Sequence, residues 1–174
     1  VTEQRLLIFG SDKRGTIYGM FHISELMGVS PWVTFADVVP ERKDEVYMTE
    51  ADTFYSKEPS VKYRGFFIND EWPAFGNWTF SHFGGFTAEM YDMIFETLLR
   101  LKGNYLWPAM WTSSFSLDGP GEQNAILADE YGVVMSNSHH EPCLRHSEEW
   151  DKVRGEQSPY GNEWNYSTNR EGLL

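Results

Sequence analysis

Three polar runs in the sequence could carry chemistry, and each follows a stretch that is typical of a β-strand. They are Asn69-Asp70-Glu71, the tryptophan-flanked run 107–111, and Ser138-His139-His140-Glu141. Carboxyl groups and imidazoles can transfer protons, and together with amides they can bind sugar hydroxyls. In parallel α/β folds, functional groups lie at the carboxyl ends of the strands. The pattern therefore predicts a polar site at three strand ends.

Asp70 and Glu71 are the candidate acid or base groups of this site. Neighbouring residues on a strand point to opposite faces, so at most one of the two carboxyl groups faces a cleft. Hydrolysis of a glycosidic bond requires two carboxyl groups, about 5–5.5 Å apart for retention and about 6.5–9.5 Å apart for inversion. The second group must therefore come from elsewhere. An equally open alternative is that Asp70 caps the following turn while Glu71 is solvated.

His139 and His140 obey the same alternation, so at most one imidazole faces the site. With Glu141 they look like a set of metal ligands, but the helical His-x-x-x-His spacing, which puts two imidazoles on one face, is absent. We therefore expect no metal, and a histidine that hydrogen-bonds a sugar hydroxyl or carboxylate. A buried histidine bonded only to the backbone is the alternative.

Three other features have both a functional and a purely structural interpretation. Trp107 and Trp111 lie on one face of a strand, where they would form either a platform for a pyranose ring or part of the core. Lys13 and Arg14 precede a predicted helix, where they would either bind an anion or form a solvated turn. Cys143 has no evident base beside it other than the nearby histidines, so a nucleophilic role has little support.

Alternating strands and helices must position these residues. Strands are predicted at 61–69, 105–111 and 133–138, and helices at 86–102, 123–131 and 143–153. Gly103 and Gly132 follow the first two helices, as is typical of a helix end with a left-handed residue. Strands and helices that alternate at this spacing predict a parallel sheet built from βα units.

The region before these units differs in character. It contains a predicted short buried strand at 5–9 and a helix at 16–27 that ends at Gly28. The predicted apolar face of that helix consists of Ile17, Met20, Phe21, Ser24 and Met27. The charged, proline-interrupted stretch 30–60 predicts a loop with one or two strands and a linker.

Three βα units are too few to close a barrel, since eight units need about 250 residues. The last residues, 170–174, read as the beginning of another helix. We therefore expect the sequence to be a piece of a longer protein. The sequence does not indicate a cellular location.

The composition restricts the classes of ligand. The formal net charge is -12, which argues against binding to nucleic acid or to an anionic membrane surface. A small anionic substrate stays possible, because local cations can reverse the field in a cleft. Aromatic residues make up 16% of the chain, a content that suits an aromatic core or stacking on sugar rings. With Cys143 as the one cysteine, an internal disulfide is impossible.

Several long, ordered blocks of the sequence resemble glycoside hydrolase family 115. The blocks are GSDKRGTIYG at 10–19, GVSPW at 28–32, PSVKYRG at 59–65, INDE at 68–71, LLRLKGNYLWPAMW at 98–111, LADEYGVVM at 127–135 and SHHEP at 138–142. They extend over nearly the whole chain, which makes the resemblance far more specific than a single short motif.

The resemblance implies an α-glucuronidase that removes α-1,2-linked glucuronic acid, often its 4-O-methyl form, from glucuronoxylan with inversion. It implies that residues 1–58 are the end of an N-terminal α/β domain with a linker, and that residues 59–174 begin a catalytic (β/α)8 barrel. Asp70 is the catalytic candidate with an open role, and the principal acid and base carboxylates would lie beyond Leu174. The expected substrate-binding residues are Asn69, Asp70, Trp111, His139, His140 and Glu141. We expect no cofactor, a polysaccharide substrate, and a homodimer as one possible assembly.

The sequence also departs from the common family pattern at two places. It has Trp72-Pro73-Ala74 followed by an aromatic run where many members have an Ala-Pro-Ala segment, and it has Asn137 where Gly-Thr is usual. Both changes leave the sugar that carries the uronic acid open. The alternative functions are a non-catalytic carbohydrate-binding module and a metal-dependent barrel hydrolase. The strong helix at 86–102 argues against the binding module, since such modules are mostly β-sandwiches.

Overall fold

The computed structural model describes residues 5–69, 72–109, 113–136 and 147–174 of the chain. Within these ranges, five α-helices alternate with three short β-strands. The helices are α1 (Lys13–Leu26), α2 (Phe75–Phe83), α3 (Ala88–Arg100), α4 (Gln123–Tyr131) and α5 (Ser147–Val153). The strands are β1 (Gly65–Phe67), β2 (Tyr105–Trp107) and β3 (Val134–Met135), and Glu50–Asp52 forms a 3-10 turn.

The three strands form one parallel sheet in the order β1-β2-β3. Phe66 of β1 lies opposite Leu106 of β2, and Leu106 lies opposite Met135 of β3. The α/β class and the parallel sheet predicted from the sequence are therefore confirmed. The strands are shorter than predicted, because the hydrogen-bonded ladder extends over only two or three residues of each strand.

Helix α3 is the centre of the core. Its apolar residues recur at helical spacing, and Met90, Tyr91, Phe95 and Leu99 have no exposed surface. Burial of each of these side chains contributes roughly 1.5–3 kcal/mol. The helix packs against α1, α2 and α4. Leu106 of β2 and Ile68, which follows β1, belong to the same apolar cluster. Helix α3 therefore covers one face of the sheet.

Helix α1 begins at an aspartate cap. Asp12 Oδ1 accepts a hydrogen bond of 2.7 Å from the backbone N–H of Gly15, and this bond holds the pKa of the Asp12 carboxyl below its ordinary value. The other end has Met27 as its last capping residue and Gly28 at a φ of 97°, as predicted. The sequence misplaced only the beginning of this helix, because the Asp12 cap lies upstream of the predicted start at residue 16.

The predicted apolar face of α1 is only partly correct, since Ile17, Phe21 and Ser24 are partly buried and the two methionines are exposed. Met20 is 57% exposed and Met27 is 39% exposed. Phe21 of the predicted face does make a contact, since the Arg100 guanidinium lies over its ring at 4.4 Å. Tyr18, outside the predicted face, donates its hydroxyl to the Gly103 carbonyl at 2.7 Å. Burial raises the pKa of Tyr18, which keeps its hydroxyl a donor.

Lys13 and Arg14 belong to the first turn of α1, where Lys13 is exposed and both side chains bond to backbone carbonyls. Lys13 Nζ donates to the Asp129 carbonyl at 3.0 Å, and Arg14 Nη1 donates to the Gly132 carbonyl at 3.3 Å. Both carbonyls lie at the carboxyl end of α4, where cations complement the helix dipole. These contacts connect the predicted first domain to the βα region, and the domain boundary near residue 58 stays a prediction.

A buried polar network fixes the amino ends of β1 and β2. The Asn104 side chain accepts from the Arg64 backbone N–H at 2.9 Å and donates to the Lys62 carbonyl at 2.9 Å. The Arg64 guanidinium donates to the Lys102 carbonyl at 3.0 and 3.1 Å. Gly65 is required here, since a Cβ at this position would lie 1.5 Å from the Tyr105 carbonyl oxygen. The two strands therefore approach at one register only.

Three expectations for the chain outside the predicted strands and helices of the βα units are wrong. Residues 5–10 form no strand, and Leu6, Leu7 and Phe9 are exposed, because none of the three strands in the described ranges pairs with them. The stretch 30–60 contains the 3-10 turn and no described strand. Residues 170–173 form turns rather than a helix.

Helix α2 was not predicted at all. Its sequence, FGNWTFSHF, contains Gly, Asn, Thr, Ser and His, which are weak helix formers, so local propensity hid it. Gly84, which follows the helix at a φ of 72°, is the stop signal that would have indicated it.

We expect Asn104→Ala to loosen the amino ends of β1 and β2 selectively. The change leaves the Lys62 carbonyl and the Arg64 N–H without their buried partner, which costs about 1–3 kcal/mol. Amide hydrogen exchange of the full-length protein should then accelerate by about 5- to 150-fold in the peptides around residues 64–67 and 105–107. The matched control is Asn162→Ala, at an exposed asparagine. Equal exchange in both variants would contradict the structural role of Asn104.

Candidate functional site

The carboxyl ends of the three strands meet at one edge of the sheet. The backbone N–H of Ile68 donates to the Trp107 carbonyl at 2.9 Å, and the N–H of Ser136 donates to the Leu106 carbonyl at 2.8 Å. Asn69 follows Ile68 at this edge and is exposed. An exposed amide that follows a parallel strand can donate to a sugar hydroxyl or carboxylate.

Asn69 is the one predicted site residue that the structure describes. The other five, Asp70, Trp111, His139, His140 and Glu141, lie outside the described residues, as do Glu71 and Cys143. Each nevertheless follows a strand end whose position is known, because the described ranges end at residues 69, 109 and 136. Their roles therefore stay predictions.

An aromatic surface covers the face of the sheet that points away from α3. Phe67 and Trp107 are register partners whose rings lie 5.1 Å apart. Tyr63 and Tyr105 form a second pair at 5.8 Å nearer the amino ends. Phe67 is 40% exposed. Trp107 therefore belongs to the sheet face opposite the helices and lies at its carboxyl end, so both the core and the platform interpretation stay open for it.

Trp72 and helix α2 form a second group of aromatic side chains. The Trp72 ring lies 5.3 Å from the ring of Phe80, and both side chains are about half exposed. Below them, Phe75 stacks on Trp78 at 5.4 Å, and Phe80 contacts the buried Phe86 at 6.0 Å. This surface belongs to α2 and was missed from the sequence together with that helix.

A buried asparagine shapes the loop after β2. Asn124 of α4 has no exposed surface, and its Nδ2 donates to the Phe86 carbonyl at 3.2 Å and to the Phe115 carbonyl at 2.9 Å. The loop is held further where the backbone N–H of Ala88 donates to the Gly119 carbonyl at 2.9 Å. Asn124 thus connects the loop after β2 with the beginning of α3.

Acidic residues make the surface beside α4 unsuitable for an anionic sugar. A shallow depression there is lined by Ser116, Leu117, Glu122, Ala125, Ile126, Asp129 and Glu130. Three carboxylates in one depression repel a uronate. Near it, the buried Ser116 hydroxyl donates to the Glu149 carboxylate at 3.0 Å, and Lys152 pairs with Asp118. These groups connect α5 to the loop after β2.

Two further properties concern metals and membranes. Among the described residues, no group of three His, Cys, Asp or Glu side chains is arranged to hold a metal ion. The His-His-Glu run at 139–141 lies outside that search. In the same part of the chain, no helix is both long and apolar enough to cross a membrane.

Comparisons with known proteins agree with this geometry. The sequence profile of glycosyl hydrolase family 115 matches residues 56–174. Among solved structures, a family 115 4-O-methyl-α-glucuronidase with specificity for decorated arabinogalactans is similar to the chain, with a TM-score of 0.72 and 36% sequence identity. The similarity covers 94% of this chain and 22% of that chain. A search of curated proteins finds no match.

The parallel α/β architecture agrees with this similarity. The chain belongs to glycosyl hydrolase family 115, because the family profile matches more than half of it. The resemblance inferred from the sequence blocks is confirmed.

We expect Asn124→Ala to release the loop after β2. Two buried carbonyls lose their donor, at a cost of about 1–3 kcal/mol. Limited proteolysis of the full-length protein should then cut within residues 113–121, and the exchange of these amides should accelerate. Asn77→Ala, at an exposed asparagine of α2, is the control. An unchanged cleavage pattern in Asn124→Ala would show that this side chain does not hold the loop.

Proposed function

We propose that the protein is an α-glucuronidase that hydrolyses the bond between a glucuronic acid side chain, including its 4-O-methyl form, and a polysaccharide. The observation that carries the proposal is the 36% identity, over 94% of this chain, with a family 115 4-O-methyl-α-glucuronidase. The chain spans 22% of the length of that enzyme, so the activity is proposed for the longer protein to which these residues belong.

The proposed substrate is glucuronoxylan, with α-1,2-linked uronic acid and inversion at the anomeric carbon. This choice follows from what the resemblance of the sequence blocks to family 115 implies. Decorated arabinogalactan is the second candidate, because the similar solved enzyme is specific for it. The aromatic segment that begins at Trp72, close to the end of β1, departs from the common family pattern. This departure supports both polysaccharides as candidate substrates.

In the proposed site, Asn69, Asp70, Trp111, His139, His140 and Glu141 line the pocket for the uronic acid. Asn69 and His139 would donate hydrogen bonds to the sugar carboxylate or hydroxyls. The parallel order of β1, β2 and β3 supports the proposal, since it brings the three strand ends to one edge of the sheet. The remaining strands of a (β/α)8 barrel would complete the pocket in the longer protein.

Inversion requires a carboxylic acid that protonates the leaving oxygen and a carboxylate that activates water on the other side of the sugar. The two groups are about 6.5–9.5 Å apart in such enzymes. We propose that strand ends outside this sequence supply the principal acid and base, and that Asp70 assists at the end of β1. The residues here provide binding and orientation, which lower the barrier by holding the reacting groups in place. The homodimer stays a prediction.

The full-length protein should release glucuronic acid or its 4-O-methyl ether from a decorated polysaccharide while the backbone stays intact. Chromatography of the products from glucuronoxylan and from decorated arabinogalactan distinguishes the two candidate substrates. NMR of the released sugar at early times reports its anomeric configuration and so tests inversion. If folded protein releases no uronic acid from either polysaccharide, the proposed function is wrong.

Asp70→Asn should lower uronic acid release at least about 100-fold, because it removes a carboxyl group at the strand end but keeps the side-chain shape. The matched control is Glu71→Gln, whose side chain points to the opposite face if the strand alternation continues. We expect Glu71→Gln to retain most of the activity, with circular dichroism unchanged in both variants. Near-normal turnover in Asp70→Asn would mean that Asp70 only caps a turn.

A further inference from the structure

A segment without formal charge follows the two carboxyl groups of Asp70 and Glu71 in this strongly acidic chain. Residues 72–88 contain no Asp, Glu, Lys or Arg, although the formal net charge of the chain is -12. The polar side chains that this segment exposes on α2 are Asn77, Ser81 and His82, which can exchange hydrogen bonds with hydroxyl groups. An uncharged, hydrogen-bonding surface of this kind suits a neutral ligand. The acidic remainder of the surface repels anions.

Trp72 and Phe80 form an exposed aromatic surface in this neutral segment. Trp72 is 48% exposed, Phe80 is 47% exposed, and their ring planes are inclined by 45°. Covering a large aromatic ring with an apolar surface removes the ring from water, which is favourable. Two rings at an angle offer two flat faces, and the C–H face of a pyranose can stack on each.

The surface is rigid because the rings rest on buried groups. The Trp72 indole lies against Gly76, where a Cβ would come within 2.6 Å of Trp72 Cε2. Gly76 is itself buried. Phe80 contacts Phe86, which is 4% exposed and belongs to the core cluster. A rigid aromatic surface loses little side-chain entropy on binding, which favours ligand affinity.

The position of the surface relates it to the candidate site. Trp72 follows Asn69 by three residues and Phe67, the last residue of β1, by five. The uronic acid pocket is proposed at that same edge of the sheet. A polysaccharide whose side chain enters the pocket must lay its backbone across the neighbouring surface, and the backbone sugars of xylan and galactan are uncharged.

Resting on the function proposed above, we infer that Trp72 and Phe80 are a binding subsite for an uncharged backbone pyranose of the decorated polysaccharide. The pocket recognises the anionic side chain, and the aromatic pair recognises the neutral chain that carries it. Trp72 is then a specificity-determining residue that acts on backbone affinity and not on the bond that breaks. Gly76 is its positioning residue, since only glycine leaves room for the indole.

Calorimetric titration of the full-length protein with linear xylohexaose and with linear galacto-oligosaccharides tests the subsite and distinguishes the two backbones. One of the two series should bind, and Trp72→Ala should weaken that affinity about 3- to 10-fold. Trp72→Phe should restore most of the affinity, because it keeps an aromatic face. The matched control, Trp32→Ala, removes another 47% exposed tryptophan and should change nothing.

A second titration with D-glucuronic acid separates a local effect from misfolding. The affinity for D-glucuronic acid should be equal in the wild type and in Trp72→Ala, while the KM for the decorated polysaccharide rises and kcat is retained. The subsite is refuted if neither backbone oligosaccharide binds, if Trp72→Ala binds as well as the wild type, or if both affinities fall together. Uronic acid release by the wild type tests the proposed function separately.

Discussion

The polar network between Arg64 and Asn104 is the constraint on which the sheet depends. Short parallel strands have few ladder hydrogen bonds, so the backbone alone specifies their register weakly. The Asn104 side chain bonds two backbone groups of the chain that enters β1, and its own carbonyl accepts from Val134 N–H of β3 at 2.9 Å. One buried residue therefore sets the relative position of all three strands. Their opposite ends, where the candidate site lies, follow from that position.

The two ends of the sheet consequently serve different purposes. At the amino end, the side chains of Arg64, Asn104 and Tyr18 bond mainly to backbone carbonyls and leave little capacity for a ligand. At the carboxyl end, the exposed Asn69 is followed by aromatic side chains that rest on a buried base. This division matches the general separation of stability and function between the two ends of parallel α/β sheets.

An acidic protein with the proposed acidic sugar as its substrate must keep the rest of its surface from opposing that substrate. The depression beside α4 has three carboxylates, whereas the segment from Trp72 to Ala88 has no charged side chain. A neutral aromatic surface lets an uncharged backbone approach by stacking, which depends little on the field of the protein. The charge distribution and the position of α2 thus both favour an orientation in which the uncharged backbone of the proposed substrate lies on the aromatic surface.

The sequence by itself determined the α/β class, the parallel sheet, helices α3 and α4, and the family. These properties depend on apolar periodicity, stop signals and ordered motifs, all of which are local. Gly132 ends α4 in the left-handed conformation as predicted, whereas Lys102 rather than Gly103 adopts that conformation after α3. Tertiary structure alone decided the exposure of Met20, the bonds of Lys13 and Arg14 to α4, the role of Asn104 and the formation of α2. The partners of these side chains are distant in sequence, as Lys13 and Asp129 show with a separation of 116 positions. For α2, packing of its aromatic rings on the core outweighs weak helix propensity.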